Sequence, residues 1–271
     1  MKVPVPATLI AAAIAMQCTS AYAQLHCTIL ADAATGTELV REGQYEQRVT
    51  PASTFKIAIS LMGYDSGILD DEHSPSLPFK QGYLDWQPTW RASTDPAAWM
   101  KNSVVWYSEQ VVFKLGAARF QRYADGFDYG NHDLSARPRR DDGHVLPWLS
   151  SSLKISPVEQ VAFLTKLVTG KLPVTKKAVE MTSRLLTQPQ LANGWNVYGK
   201  TGTGGPDATG ATTQGGDYGW FVGWATRGEQ RIVFARLVQD DRDEKVRAGL
   251  RVRDALLREL PALLDAASAA R

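Results

Sequence analysis

The sequence predicts an α+β domain in which one antiparallel sheet takes strands from both ends of the chain, helices flank the sheet, and the middle forms a helical subdomain. Three observations lead there. Strand-like runs rich in β-branched and aromatic residues occur early, over 27–31 and 37–41, and again late, over 197–201, 218–225 and 231–239. Helix signals fall between these groups, over 51–64 and from Ser156 onward. A further helix-like segment, 246–264, closes the chain, with Pro261 placed to break it.

Taken in order, residues 32–36 read Asp-Ala-Ala-Thr-Gly, a turn between the first two strands. The run 51–64 is apolar on nearly every side, with Phe55, Ile57, Ala58, Ile59, Leu61 and Met62. A helix of that kind is buried rather than laid on a surface. Polar Ser53 and Lys56 at its entrance are therefore unusual. Residues 65–150 are rich in Pro, Trp, Asp and Gly and show only short helical pieces, over 96–100 and 109–115. Ser156-Pro157-Val158-Glu159 is a helix start: Ser caps, Pro takes the first turn, and Glu reaches back to the cap. Gly170 ends that helix. Residues 226–229, Thr-Arg-Gly-Glu, join the last two strands as a hairpin.

Composition narrows the function classes. The chain has 271 residues, 44% apolar and 21% charged, which suits a folded core. A net charge of +2 argues against nucleic acid or an anionic membrane as partner. Four histidines, no H-E-x-x-H and no C-x-x-C argue against a metal site. Met1-Lys2, the apolar run 9–16 and Ala21-Tyr22-Ala23 read as a cleavable signal peptide over 1–23. Residues 24–271 then form a single domain, exported to a periplasm without a stable membrane anchor, and Cys27 is left as its one cysteine, with no disulfide to form.

Residues 194–201, Gly-Trp-Asn-Val-Tyr-Gly-Lys-Thr, match the phosphate-loop pattern G-x-x-x-x-G-K-[ST]. That reading needs a helix directly after Lys200-Thr201. Gly202-Thr203-Gly204-Gly205-Pro206 follows instead, a poor helix start, so a nucleotide is not expected.

Ser53-Thr54-Phe55-Lys56 sets a hydroxyl and an amine three residues apart on one helical face, where they can meet. A serine hydroxyl becomes a nucleophile only when a neighbouring base takes its proton. An ordinary lysine, with a pKa near ~10.4, cannot do so, but burial lowers that value by up to several units. Ser103-Val104-Val105, Tyr129-Gly130-Asn131 and Lys200-Thr201-Gly202 follow in that order. Gly202 is placed to let a ligand approach the backbone.

With these four motifs, and with Leu146-Pro147-Trp148-Leu149 ahead of Lys154-Ile155-Ser156-Pro157, the chain resembles the class D beta-lactamases, the oxacillinases, over essentially all of the mature sequence. The resemblance implies the fold of the penicillin-recognising serine enzymes and hydrolysis of beta-lactam small molecules through an acyl ester on Ser53. It implies an oxyanion hole from the amides of Ser53 and Thr203. Ser103, helped by Lys200, would pass a proton to the lactam nitrogen. Lys200, Thr201 and Arg251 would hold the substrate carboxylate. Phe55, Val104 and Leu149 would enclose Lys56, whose amine would carry a CO2-derived carbamate as general base, hydrogen-bonded by Trp148. No other cofactor is implied. Where the family often has an aromatic residue after Lys-Thr-Gly, this chain has Thr203, and the stretch 204–216 is long and rich in Gly and Thr. A penicillin sensor or a D,D-transpeptidase of the same fold shares these motifs and remains an alternative.

Overall fold

The computed structural model describes residues 26–135, 146–149, 151–205, 216–241 and 244–269. The expected signal peptide, residue His144 and most of the stretch 204–216 lie outside them. Strands β1 (His26–Asp32) and β2 (Glu38–Gly43) open the described chain. A 3-10 turn (Ala52–Phe55) leads into α1 (Lys56–Asp65). The helical lobe contains α2 (Pro96–Asn102), α3 (Val105–Leu115) and α4 (Ala117–Phe127), followed by α5 (Pro157–Val168) and α6 (Lys176–Leu185). Strands β3 (Asn196–Gly204), β4 (Tyr218–Arg227) and β5 (Gln230–Gln239) precede α7 (Ala248–Ala269).

The five strands lie in the order β2-β1-β5-β4-β3, and every pairing is antiparallel. Residue Ile29 of β1 sits opposite Ala235 of β5, so the two ends of the chain share the sheet's centre. This is the α+β architecture that the sequence predicts.

Both faces of the sheet are dry along β4 and β5. Along β4 and β5, Tyr218, Trp220, Val222, Trp224, Val233, Ala235 and Leu237 pack into the core shared with the helical lobe. Their alternates Phe221, Ile232 and Phe234 pack with Val252, Leu256, Leu260 and Leu264 of α7. Those four leucine and valine positions recur every fourth residue and form one stripe. Pro261 does not break α7. An interior proline costs a helix about 3 kcal/mol, and burying Leu260 and Leu264 on either side of it, at about 1.5–3 kcal/mol each, outweighs that cost.

Two helices go beyond the sequence reading. In α4 the apolar signal is confined to Phe120, Ala124 and Phe127. In α6 the buried face is Ala178, Met181 and Thr182, too small and polar to stand out. Helix α3 also starts earlier than the reading over 109–115. The capping box of α5 forms as the sequence predicts, with Ser156 Oγ accepting from the Glu159 amide and Glu159 accepting from the Ser156 amide.

Candidate active site

Ser53 sits in the 3-10 turn rather than in the α-helix proper, half buried, one turn ahead of α1. Three supports fix that turn. Thr54 donates to the Pro51 carbonyl at 2.7 Å and accepts from Gln160 of α5 at 3.0 Å. Trp220 of β4 donates its indole N–H to the Thr50 carbonyl at 3.1 Å. The Ala52 amide donates to the Trp148 carbonyl at 3.0 Å, which ties the segment around Trp148 to the serine. Ala52 itself is held at a φ of 48°, in the left-handed region that alanine avoids. Such strain persists only where the surroundings impose it.

One turn on, Lys56 is 0% exposed, the charged residue most fully enclosed in the core. Its Nζ donates to Ser53 Oγ at 3.2 Å. Burial, added to by the positive charges of Lys200 and Arg247, holds its amine well below the ordinary lysine range. Phe55, Val104 and Trp148 are likewise buried, and Phe55 stacks at a tilt on Trp148 with ring centroids 5.7 Å apart. The Trp148 Nε1–H is buried and, among the described residues, has no partner. A buried donor left unmet costs about 1–3 kcal/mol, so an acceptor brought to this atom would be stabilised there.

Ser103 caps the C-terminus of α2 with a φ of 58°, the second strained residue beside a serine hydroxyl. Lys200 Nζ donates to Ser103 Oγ at 3.0 Å. The Lys200 amine is pushed down to about 7, by burial first and then by Arg253 and Arg247. Lys200 lies in the middle of β3, which continues through Gly204, so no helix opens after it and no phosphate loop exists there.

β3 is one of the two edge strands of the sheet. The Gly199 amide points off that edge, donating to the Leu186 carbonyl at 2.9 Å. Backbone groups alternate along a strand, so the amides of Thr201 and Thr203 face the same open side. Gly202 serves a different approach from the one its motif suggests. A Cβ there would lie 2.9 Å from the Pro51 carbonyl oxygen and 3.1 Å from Thr54. Glycine thus lets the strand close on the serine turn.

These elements enclose a cavity of about 440 Å3, lined by Ser53, Ser103, Leu149, Lys200, Thr201 and Thr203 among others. Val104 and Trp148 stand behind its wall, fully buried. Tyr129-Gly130-Asn131 is structural. Asn131 accepts from the Lys154 amide at 2.9 Å and donates to the Ser152 carbonyl at 2.8 Å, pinning the chain that follows Trp148.

The structure does not bring Arg251 to this cavity. Asp240 captures its guanidinium, and its Nε donates to the Val246 carbonyl at 3.0 Å. Arg247, one helical turn earlier, lines the cavity in its place, together with Trp86, Gln87, Trp90 and Lys101. Sequence reasoning missed Trp86, Gln87, Trp90 and Arg247 because they lie in or beside irregular segments without motif or periodicity, and Lys101 because it stands in α2 outside any motif. Among the described residues no cluster of His, Cys, Asp or Glu could hold a metal ion. The Cys27 thiol is buried and pushed up to about 12, which makes it inert.

The fold and a serine flanked by two buried lysines define a penicillin-recognising serine enzyme, and residues 26–262 match the penicillin binding protein transpeptidase domain. The chain is 42% identical to beta-lactamase OXA-9 of Klebsiella pneumoniae over 89% of its own length and 88% of that protein. It is 37% identical to beta-lactamase OXA-1 of Escherichia coli over 73% of this chain and 70% of that one. The crystal structure of OXA-427, a class D beta-lactamase, superposes with a TM-score of 0.82 at 46% identity, covering 89% of this chain and 98% of that one. The chain belongs to the class D beta-lactamases, hydrolases that open the cyclic amide of a lactam.

Proposed function

We propose that the chain hydrolyses beta-lactams through an acyl ester on Ser53, with the Lys56 side chain as the proton acceptor in both half-reactions. The observation that carries this is the wholly buried Lys56, its Nζ 3.2 Å from Ser53 Oγ. Ser53 Oγ attacks the lactam carbonyl carbon while its proton leaves toward Lys56. The amides of Ser53 and Thr203 stabilise the oxyanion; losing one such donor typically costs about 3–4 kcal/mol. The C–N bond then breaks, and the lactam nitrogen takes the Ser103 proton, which Lys200 replaces across their 3.0 Å contact. Lys200 and Thr201 face the substrate carboxylate from the cavity wall.

A carbon dioxide adduct fits this site. Only a neutral amine captures CO2, and burial favours the neutral form of Lys56. The Trp148 Nε1–H, without a partner among the described residues, offers a buried donor for a new anion. When bound, the carbamate supplies a carboxylate-like base beside Ser53. Once the Ser53 proton has passed from Lys56 to solvent and solvent has returned one to Lys200, water attacks the ester carbonyl carbon and gives its proton to the Lys56 side, and that proton moves to Ser53 Oγ as the ester C–O bond breaks and the ring-opened acid leaves. The signal-like segment 1–23 supports a periplasmic place for this activity.

Intact mass spectrometry during mixing with benzylpenicillin tests the scheme. A transient adduct of the penicillin's full mass, gone from Ser53→Ala and replaced by free enzyme on exhaustion of substrate, is the expected result. An adduct that persists after all penicillin is consumed would mark a sensor instead of a hydrolase.

A further inference from the structure

The mouth of the cavity is crossed by a contact between two distant parts of the chain. Gln87 lies at the start of the short 3-10 turn Pro88–Trp90. With its amide turned to suit the donors around it, its side-chain oxygen accepts from Arg247 Nη1 at 2.7 Å and Nη2 at 2.9 Å, and from Trp90 Nε1 at 3.2 Å. The opposite orientation would set the amide NH2 against a cation. The Arg247 carbonyl accepts from the Leu250 and Arg251 amides at 3.0 and 3.2 Å, which fixes its backbone as the start of α7. Its side chain lines the same cavity as Ser53. Arg251 and Arg247 thus differ in what they already hold. Arg251 is neutralised by the carboxylate of Asp240. Arg247 holds a neutral amide and, among the described residues, no carboxylate.

We propose that Gln87 is an internal occupant of the position where Arg247 receives the substrate carboxylate, so that a beta-lactam binds by displacing Gln87. This rests on the reading of the cavity as the beta-lactam site and deepens it. A guanidinium presents parallel N–H groups that match both oxygens of a carboxylate, and hydrogen bonds to an ionised acceptor are about twice as strong as those to a neutral one. An amide offers one oxygen and no charge. The exchange therefore favours an anionic substrate and gives nothing to a neutral one. Before substrate binds, Gln87 holds the Arg247 guanidinium at the cavity that would receive the carboxylate. Gln87 thereby acts as a positioning residue and a selectivity filter, and Arg247 as the carboxylate-binding residue.

The test compares kcat and KM for benzylpenicillin and its methyl ester in the wild type and in Arg247→Ala, Arg251→Ala and Gln87→Glu. Arg247→Ala should lower kcat/KM for the acid by about 10- to 100-fold, chiefly through KM, with little effect on the ester. Gln87→Glu supplies a permanent carboxylate and should raise KM for the acid about 10-fold or more while keeping Arg247 in place. Equal losses on acid and ester in Arg247→Ala, or an acid-selective loss that appears in Arg251→Ala instead, would overturn the proposal. Because the acid-to-ester ratio is read from turnover, it does not depend on which group is acylated. A Ser53→Ala enzyme that still turned over would contradict the nucleophile and leave this ratio intact.

Discussion

Beneath Ser53, Lys56 is sealed from solvent, whereas at the mouth of the same cavity Trp86 leaves 51% of its surface exposed and Arg247 is open to water. The floor is made from close hydroxyl–amine pairs: residues 53 and 56 on one turn, and 103 against 200 across the cavity. Its amines are perturbed by burial, which only a closed core can supply. The mouth is made from long side chains that meet from separate segments, and its contacts are exchangeable. The difference places the chemistry in a region that tolerates little change and the choice of substrate in one that tolerates much.

The largest effect should come from the floor. Lys56→Ala removes the proton acceptor and should lower turnover by about 10²- to 10⁴-fold. Any acyl adduct on Ser53 should then persist, visible by intact mass. Near-normal turnover in that variant would move the base elsewhere. Gly202→Ala should follow. Its Cβ would press on the Pro51 carbonyl from 2.9 Å and shift the serine turn. Misplacing a catalytic group by about 1 Å can cost about 100-fold, and the overpacking about 1–3 kcal/mol of stability. Thr89→Ala, on the exposed mouth, should change kcat little; equal losses at both positions would erase the contrast.

A smaller, conditional effect concerns pH. Protonation of Lys56 removes the neutral amine that captures CO2, so activity should fall in mild acid and return with added bicarbonate. Trp148→Phe keeps the packing against Phe55 but removes the orphan donor. That variant should need more bicarbonate for the same rate; an unchanged requirement would make Trp148 a packing residue.

The fold was legible where pattern was strong. Alternating apolar residues announced β4 and β5, and the Ser156 capping box announced α5. Pro261 misled, because local propensity is weaker than the leucine stripe on either side of it. Helices α4 and α6 were missed because their buried faces hold few large apolar residues. At the site, the Ser53–Lys56 and Ser103–Lys200 pairs follow from motif spacing and order. Arg251 did not take its expected place, because nothing local in the sequence says that Asp240 lies close enough to capture it. The Gln87–Arg247 contact depends on two irregular segments converging, which is a property of the fold alone.

The smallest effect is on stability, and it runs opposite to activity. Lys56→Met replaces a buried amine with an apolar chain of similar length and should stabilise the protein by about 0.5–2 kcal/mol near neutral pH. The sign follows from the depressed folded-state value of Lys56. The penalty is complete below that value, where the folded protein carries a buried charge. It declines as pH rises toward about 10.4, where the unfolded lysine also gives up its proton. Denaturant midpoints for the two proteins should therefore converge with rising pH; a gap that widened would mean that Lys56 is not held neutral by burial.

The most direct test of the account is a 13C NMR spectrum of the enzyme in labelled bicarbonate. The account predicts a carbamyl carbon resonance that is absent from Lys56→Ala, disappears in mild acid and returns when the pH is restored. An active enzyme whose spectrum showed no such resonance, or showed it undiminished without Lys56, would contradict it.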